Sequence, residues 1–172
     1  MKKKSKIAKK KIKPVKAKVK PIPDGYHTLT SYLIADNAAK ALDFYKKAFG
    51  AKELFRMAGP DGKIAHSELK IGDSKIMVGD ESPQMGALGP KSIGGSPVTL
   101  MLYVKDVDKL FTQAVAAGAK ETRPVMNQFY GDRSGSLEDP FGHKWVISTR
   151  VENVSPKEMD KRMKAMMAEM PA

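Results

Sequence analysis

His66 and Glu68 stand two residues apart in AHSELKI at 65–71. Alternate side chains of a strand share one face, so an imidazole and a carboxylate would project together there. Such a pair can act as general base and partner or hold a metal ion, and it can equally be a satisfied surface or cavity pair. A second set lies in MNQFYGDRSGS at 126–136, where Phe129, Tyr130, Asp132 and Arg133 combine apolar faces with one cation between glycines. That combination suits a flat or anionic ligand, unless Asp132 and Arg133 serve an internal network. Of the other histidines, His27 precedes the first strand and His143 lies in the turn GHK, a place that favours holding backbone. Trp145 alternates with His143 and Ile147, and its bulk fits a core. The chain has no Cys, which removes disulfides, thiolate zinc sites and cysteine nucleophiles. It also lacks a Gly-rich phosphate loop, a nucleophile elbow and a zinc-protease motif, so hydrolase and nucleotide-binding chemistry has no residues to use.

The elements that must position these residues form a repeat. In the first unit a strand is expected between His27 and Asp36, then a helix opened by Asp36 or Asn37. Ala38, Ala41, Leu42, Tyr45, Ala48 and Phe49 give that helix one apolar face, and Gly50 stops it. Strands follow at 52–57, 63–71 and 74–79, separated by the turn signals GPDG and IGDS. The second unit repeats the order: a strand at 98–104, a helix capped by Asp106 or Asp108 and stopped by Gly118, then strands near 121–126, 134–138 and 144–149. GAK at 50–52 recurs at 118–120 after each helix. Residues 81–96 read as a linker rich in Gly, Pro and Ser. Ser155 opens a terminal helix over 155–170, whose Met159, Met163, Met166, Met167 and Met170 form a stripe expected to dock on the domain or on a second subunit.

This strand–helix–three-strand repeat, with ALDFYKKAFGAKE in its first helix and EDPFGHKW near its end, resembles the vicinal oxygen chelate superfamily. Within it the chain resembles the glyoxalase/bleomycin-resistance proteins of the PhnB-like branch. The resemblance covers 26–150 and implies an α+β fold of two tandem βαβββ modules, 27–80 and 97–150, each curling its sheet into half a cup that holds a ligand. It embraces lyases, isomerases, dioxygenases and non-catalytic binding proteins, and fold does not choose among them. It also implies a divalent metal held by His or Glu on the first and last strands of each module. Aligning the two motifs puts Thr30, Met77, Thr99 and Val146 there; none is a competent ligand, and a two-residue slip offers only Thr28 or Lys144. The expectation is therefore a small-molecule binder without that metal or another cofactor, and with His66, Glu68, Phe129, Tyr130, Asp132 and Arg133 as binding candidates.

Charge separates one region from the rest. The chain holds 31 Lys+Arg against 19 Asp+Glu, yet residues 1–20 alone carry 11 Lys and no acid. Residues 1–22 thus read as a disordered Lys-rich tail, either a solubilising extension or a polycation that grips nucleic acid or another polyanion without reading sequence. A polyanion-associated interaction protein is the alternative to the cavity binder. No stretch approaches the roughly 18 apolar residues of a membrane span, and no secretion signal opens the chain, so the expected compartment is the cytoplasm. Two shallow half-cups and an apolar terminal helix also predict a homodimer.

Overall fold

The computed structural model describes residues 19–168. Most of the Lys-rich segment expected to be disordered, 1–18, lies outside the described residues, as does Met170. Module 1 comprises β1 (Tyr32–Ala35), α1 (Ala38–Phe49), β2 (Lys52–Ala58), β3 (Ile64–Ile71) and β4 (Ser74–Asp80). A 3-10 turn (Pro83–Met85) and the short α2 (Pro90–Ile93) interrupt the linker. Module 2 comprises β5 (Thr99–Tyr103), α3 (Val107–Ala116), β6 (Lys120–Asn127), β7 (Asp132–Glu138) and β8 (Lys144–Arg150), and α4 (Pro156–Ala168) follows. Two four-stranded sheets result, ordered β1-β4-β3-β2 and β5-β8-β7-β6, so the chain has the α+β architecture of two tandem βαβββ modules.

The helix caps follow from local chemistry. Of the two candidates at each start, Asn37 and Asp106 are the caps, their side chains accepting from the amides of Lys40 and Lys109. The first strand begins five residues later than the alternation predicts, because residues 27–31 make no ladder of their own beyond the Met77 amide donating to the Ser31 carbonyl. In each module the parallel outer strand pairs with the last strand in the same register: Tyr32 faces Met77, and Met101 faces Val146.

Each sheet has a helix-covered face and an open face. Leu33, Leu69, Ile71 and Val78 point to α1; Leu137, Trp145 and Ile147 point to α3. The helices pack on each other, and Gln113 of α3 donates to the last carbonyls of α1, Lys47 and Ala48. Gly135 permits the close approach of α3, since a Cβ there would stand 2.7 Å from the Phe111 ring. Burying each large side chain of this core contributes about 1.5–3 kcal/mol.

The two motifs that mark the sequence meet in that core. Phe49 of α1 packs 4.6 Å from Trp145 between ring centroids, and Tyr45 lies 5.6 Å from Trp145. The Tyr45 hydroxyl (2.8 Å) and the Trp145 indole N–H (2.9 Å) both donate to Asp139 Oδ2. The other oxygen of Asp139 accepts the amides of Phe141 and His143. Asp139 is thus a lock between modules, and burial, then its negative charge, push the Tyr45 hydroxyl well above the usual tyrosine range.

Candidate functional site

The open face of module 1 gathers side chains that the strand pairing aligns. Phe55 of β2 lies opposite Glu68 and Met57 opposite His66, while Glu68 lies opposite Met77. His66 and Glu68 do share this face, as the alternation requires. Tyr32 joins them: its hydroxyl donates to the Ala65 carbonyl (3.1 Å) and stands 3.2 Å from His66 Nδ1, with the rings edge to face at 5.5 Å. Gly79 beneath leaves the space, since a Cβ there would crowd the Tyr32 hydroxyl at 3.1 Å.

The Tyr32 hydroxyl is within reach of both the Ala65 carbonyl and His66 Nδ1, and its role toward the imidazole follows the tautomer. His66 Nε2 lies 3.7 Å from Glu68 Oε1, beyond hydrogen-bond distance. An imidazole and a carboxylate therefore sit side by side on a wall of Phe55, Met57 and Tyr32, all about half exposed. The chemistry available is to accept hydrogen bonds from a bound molecule, or to take a proton from it.

The corresponding face of module 2 is built otherwise. Asp132, fully buried, accepts from the Tyr103 hydroxyl (3.0 Å) and the Ser148 hydroxyl (2.9 Å). The Asp132 carboxylate raises the Tyr103 hydroxyl above its usual range, first by the hydrogen bond and then by partial desolvation. Ser134 and Ser136 occupy the places that His66 and Glu68 hold in module 1, opposite Ser148 and Val146. Next to them Arg123, Ser136, Lys144 and Val146 line a cavity of about 500 Å³.

The second sequence-predicted set is not brought to one place. Arg133 turns to the helix side of the sheet, where its guanidinium bonds both oxygens of Asp108 at 2.6 and 2.8 Å and holds that carboxyl below its ordinary range. Asp132 faces the opposite side, so no Asp132–Arg133 pair forms. Phe129 and Tyr130 pack edge to face in the loop before β7, and Arg162 of α4 reaches the Phe129 carbonyl while pairing with Glu152. Among the described residues no hydrogen bond, ion pair or ring contact joins this set to His66 or Glu68. His143 is buried, its Nε2 3.1 Å from the Ile34 carbonyl, and Trp145 belongs to the core.

Sequence reasoning missed Tyr32, Phe55 and Met57 as site residues. Period two on β2 places Phe55 and Met57 on one face, but only the pairing with β3 identifies it as the face of His66 and Glu68. It missed Tyr26 as well, which lies ahead of β1 where no period exists. The four positions that the resemblance assigns to a metal, Thr30, Met77, Thr99 and Val146, offer hydroxyls, a thioether and an alkyl group. That donor set does not fit a divalent cation. Among the described residues no three of His, Cys, Asp or Glu converge, and no helix is long and apolar enough to cross a membrane.

Comparison with known proteins agrees with the architecture. The family model described as Glyoxalase/Bleomycin resistance protein/Dioxygenase superfamily matches residues 26–147. A Mycobacterium bovis protein is 44% identical over 138 residues, 78% of this chain and 91% of its own. The X-ray structure of an Arabidopsis thaliana gene product superposes with a TM-score of 0.58 at 31% identity, covering 72% of this chain and 98% of that one. The crystal structure of TioX from Micromonospora sp. ML1 superposes with a TM-score of 0.59 at 26% identity, over 72% and 98% of the two chains.

Proposed function

The chain belongs to the Glyoxalase/Bleomycin resistance protein/Dioxygenase superfamily, and on that premise we propose that it binds a small organic molecule on the open face of module 1 without a metal. The observation that carries this reading is the adjacent imidazole and carboxylate of His66 and Glu68 on a half-exposed wall of Phe55, Met57 and Tyr32. An apolar, aromatic wall with a few convergent polar groups is what small-molecule sites are made of. The donor set at Thr30, Met77, Thr99 and Val146 supports a site that works through side chains alone.

A second copy of the chain completes the site in this reading. Tyr32, Phe55 and Met57 on one module and Met101, Tyr103 and Met126 on the other are exposed. A homodimer that sets one face against the other buries both. Sedimentation of the full chain should show a dimer at micromolar concentration, and a monomer would remove this part of the proposal.

The test of the site itself is a compound screen read by thermal shift and mapped by amide exchange. Compounds that stabilise the protein should protect β2 and β3, and the shift should vanish when His66→Ala and Phe55→Ala are combined. Protection confined to the outer faces of α1 and α3 would overturn the assignment.

A further inference from the structure

The segment ahead of β1 lies across the open face of module 1. Pro21, Pro23 and Tyr26 of this arm, with Thr30, Glu68 and Met77 of the sheet, line a cavity of about 410 Å³. Lys75 of β4 holds the arm: its ammonium donates to the Asp24 carbonyl at 3.0 Å and stands 4.1 Å from the centre of the Tyr26 ring. A turn from the Tyr26 amide to the Pro23 carbonyl (3.1 Å) and the Lys20–Asp24 pair (2.7 Å) shape the arm itself. Pro21 and Ile22, at the end of the expected tail, are therefore part of a wall.

Glu68 stands between this arm and His66, and its charge is unmet. Its side chain is 25% exposed, and among the described residues its one ionisable neighbour of opposite type within 4.0 Å is His66. Glu53, at 24% exposure on the neighbouring strand, has both Lys46 and Arg56 on its oxygens at 2.6 and 2.7 Å. The Tyr26 hydroxyl is buried beside Glu68 with no hydrogen bond of good geometry. Burial, and then the Glu68 carboxylate, push that hydroxyl up to about 12, which keeps it protonated at neutral pH. The neighbourhood thus presents the Glu68 carboxylate beside the His66 imidazole and the protonated Tyr26 hydroxyl, with no Lys or Arg paired to it among the described residues. Around them lie the faces of Phe55 and Tyr26 and the thioether of Met77, and Lys75 shows that the Tyr26 face receives an ammonium group.

We infer that the ligand of module 1 is an organic cation, a protonated amine or a quaternary ammonium on a flat apolar body, neutralised by Glu68 and enclosed by the arm. A three-quarters-buried carboxylate with no Lys or Arg partner can accept a bound cation as its counter-charge. Aromatic faces add attraction for the positive charge once water is displaced. The inference rests on the reading that this face binds small molecules.

The test titrates the full chain, at neutral pH and physiological salt, with N-methylquinolinium and with quinoline, which share a ring system and differ in charge. The cation should bind about tenfold more tightly than the neutral compound. Glu68→Gln should erase that preference by lowering the affinity for N-methylquinolinium to the level of quinoline, and should not lower the thermal midpoint. Lys75→Met, which frees the arm, should weaken both compounds alike. Equal binding of the two compounds, or a preference that survives Glu68→Gln, overturns the cation assignment and leaves the site standing. Binding of zinc in competition with N-methylquinolinium assigns His66 and Glu68 to a metal instead and overturns it too. Binding of neither compound, with no protection of β2 and β3, overturns the site together with its ligand class.

Discussion

The two modules share one architecture and spend their polar residues in opposite ways. In module 1 the open face keeps His66 and Glu68 partly exposed and side by side, with the Tyr32 hydroxyl against the imidazole. In module 2 the equivalent strands carry Ser134 and Ser136, and the nearby acid, Asp132, is buried under hydroxyls that consume its Oδ2. Module 2 also supplies Asp139, which ties the modules together through Tyr45 and Trp145. The two copies of the fold thus differ in what their polar residues do: module 1 leaves His66 and Glu68 on its open face, and module 2 holds the lock that ties both copies together.

The comparison breaks most visibly at Asp139. Asp139→Ala leaves a buried hydroxyl, an indole N–H and two amides without their acceptor, and should cost about 4 kcal/mol, read from urea unfolding. A loss near that of a surface substitution would mean the modules do not depend on this lock. Exchanging residues between the two open faces sharpens the contrast. Ser134→His puts an imidazole into a fully buried position and should cost about 2 kcal/mol, whereas His66→Ser should cost about 0.5 kcal/mol or less. Similar costs for both would show the two faces to be equally open.

A third test compares acid sensitivity. Arg56 and then Lys46 hold the Glu53 carboxyl down to about 2 from the ordinary 4.5, and Glu121 in the matching place opposite Leu137 has neither partner. The stabilisation from a depressed carboxyl is complete above its unfolded pKa and is lost as pH falls from there toward the folded value. Between pH 4.5 and 2 Glu53→Gln should therefore flatten the loss of stability, by about 1 kcal/mol at most after solvent screening. Glu121→Gln should leave that limb unchanged. The smallest effect on folding is expected from deleting 1–18, which removes ten of the chain's lysines and leaves the arm intact. Stability should shift by less than about 0.5 kcal/mol, and salt-sensitive retention on heparin should disappear. Retention that persists would place the polyanion-binding surface on the folded modules.

The α4 stripe shows where pattern reading meets its limit. Met159 is half buried, but Met163, Met166 and Met167 are exposed, and the helix is held at the chain's own surface by Arg162 through Glu152 and the Phe129 carbonyl. The periodicity predicted a helix and an apolar side. It could not say that an arginine would anchor the helix, because a stripe specifies that a face wants burial without specifying by what.

The elements themselves were legible because helix and strand periods, capping Asn and Asp, and left-handed Gly50 are local properties, and local chemistry decides them. ALDFYKKAFG and DPFGHKW were legible for a further reason. Tyr45, Phe49, Asp139 and Trp145 must touch one another, so the motifs report the joint between modules and not the site. His66 and Glu68 were found as a pair because two residues on one strand share a face whatever the fold does. What surrounds them was decided by tertiary structure alone. Strand register brought Phe55 and Met57 beside them, and chain path laid Tyr26 across them. The sense of the sheet at β7 sent Arg133 to α3 and Asp132 to Tyr103, although the two are adjacent in sequence. Neighbouring strand residues point to opposite faces, so a cluster in sequence becomes a cluster in space only when the sheet folds it onto one side.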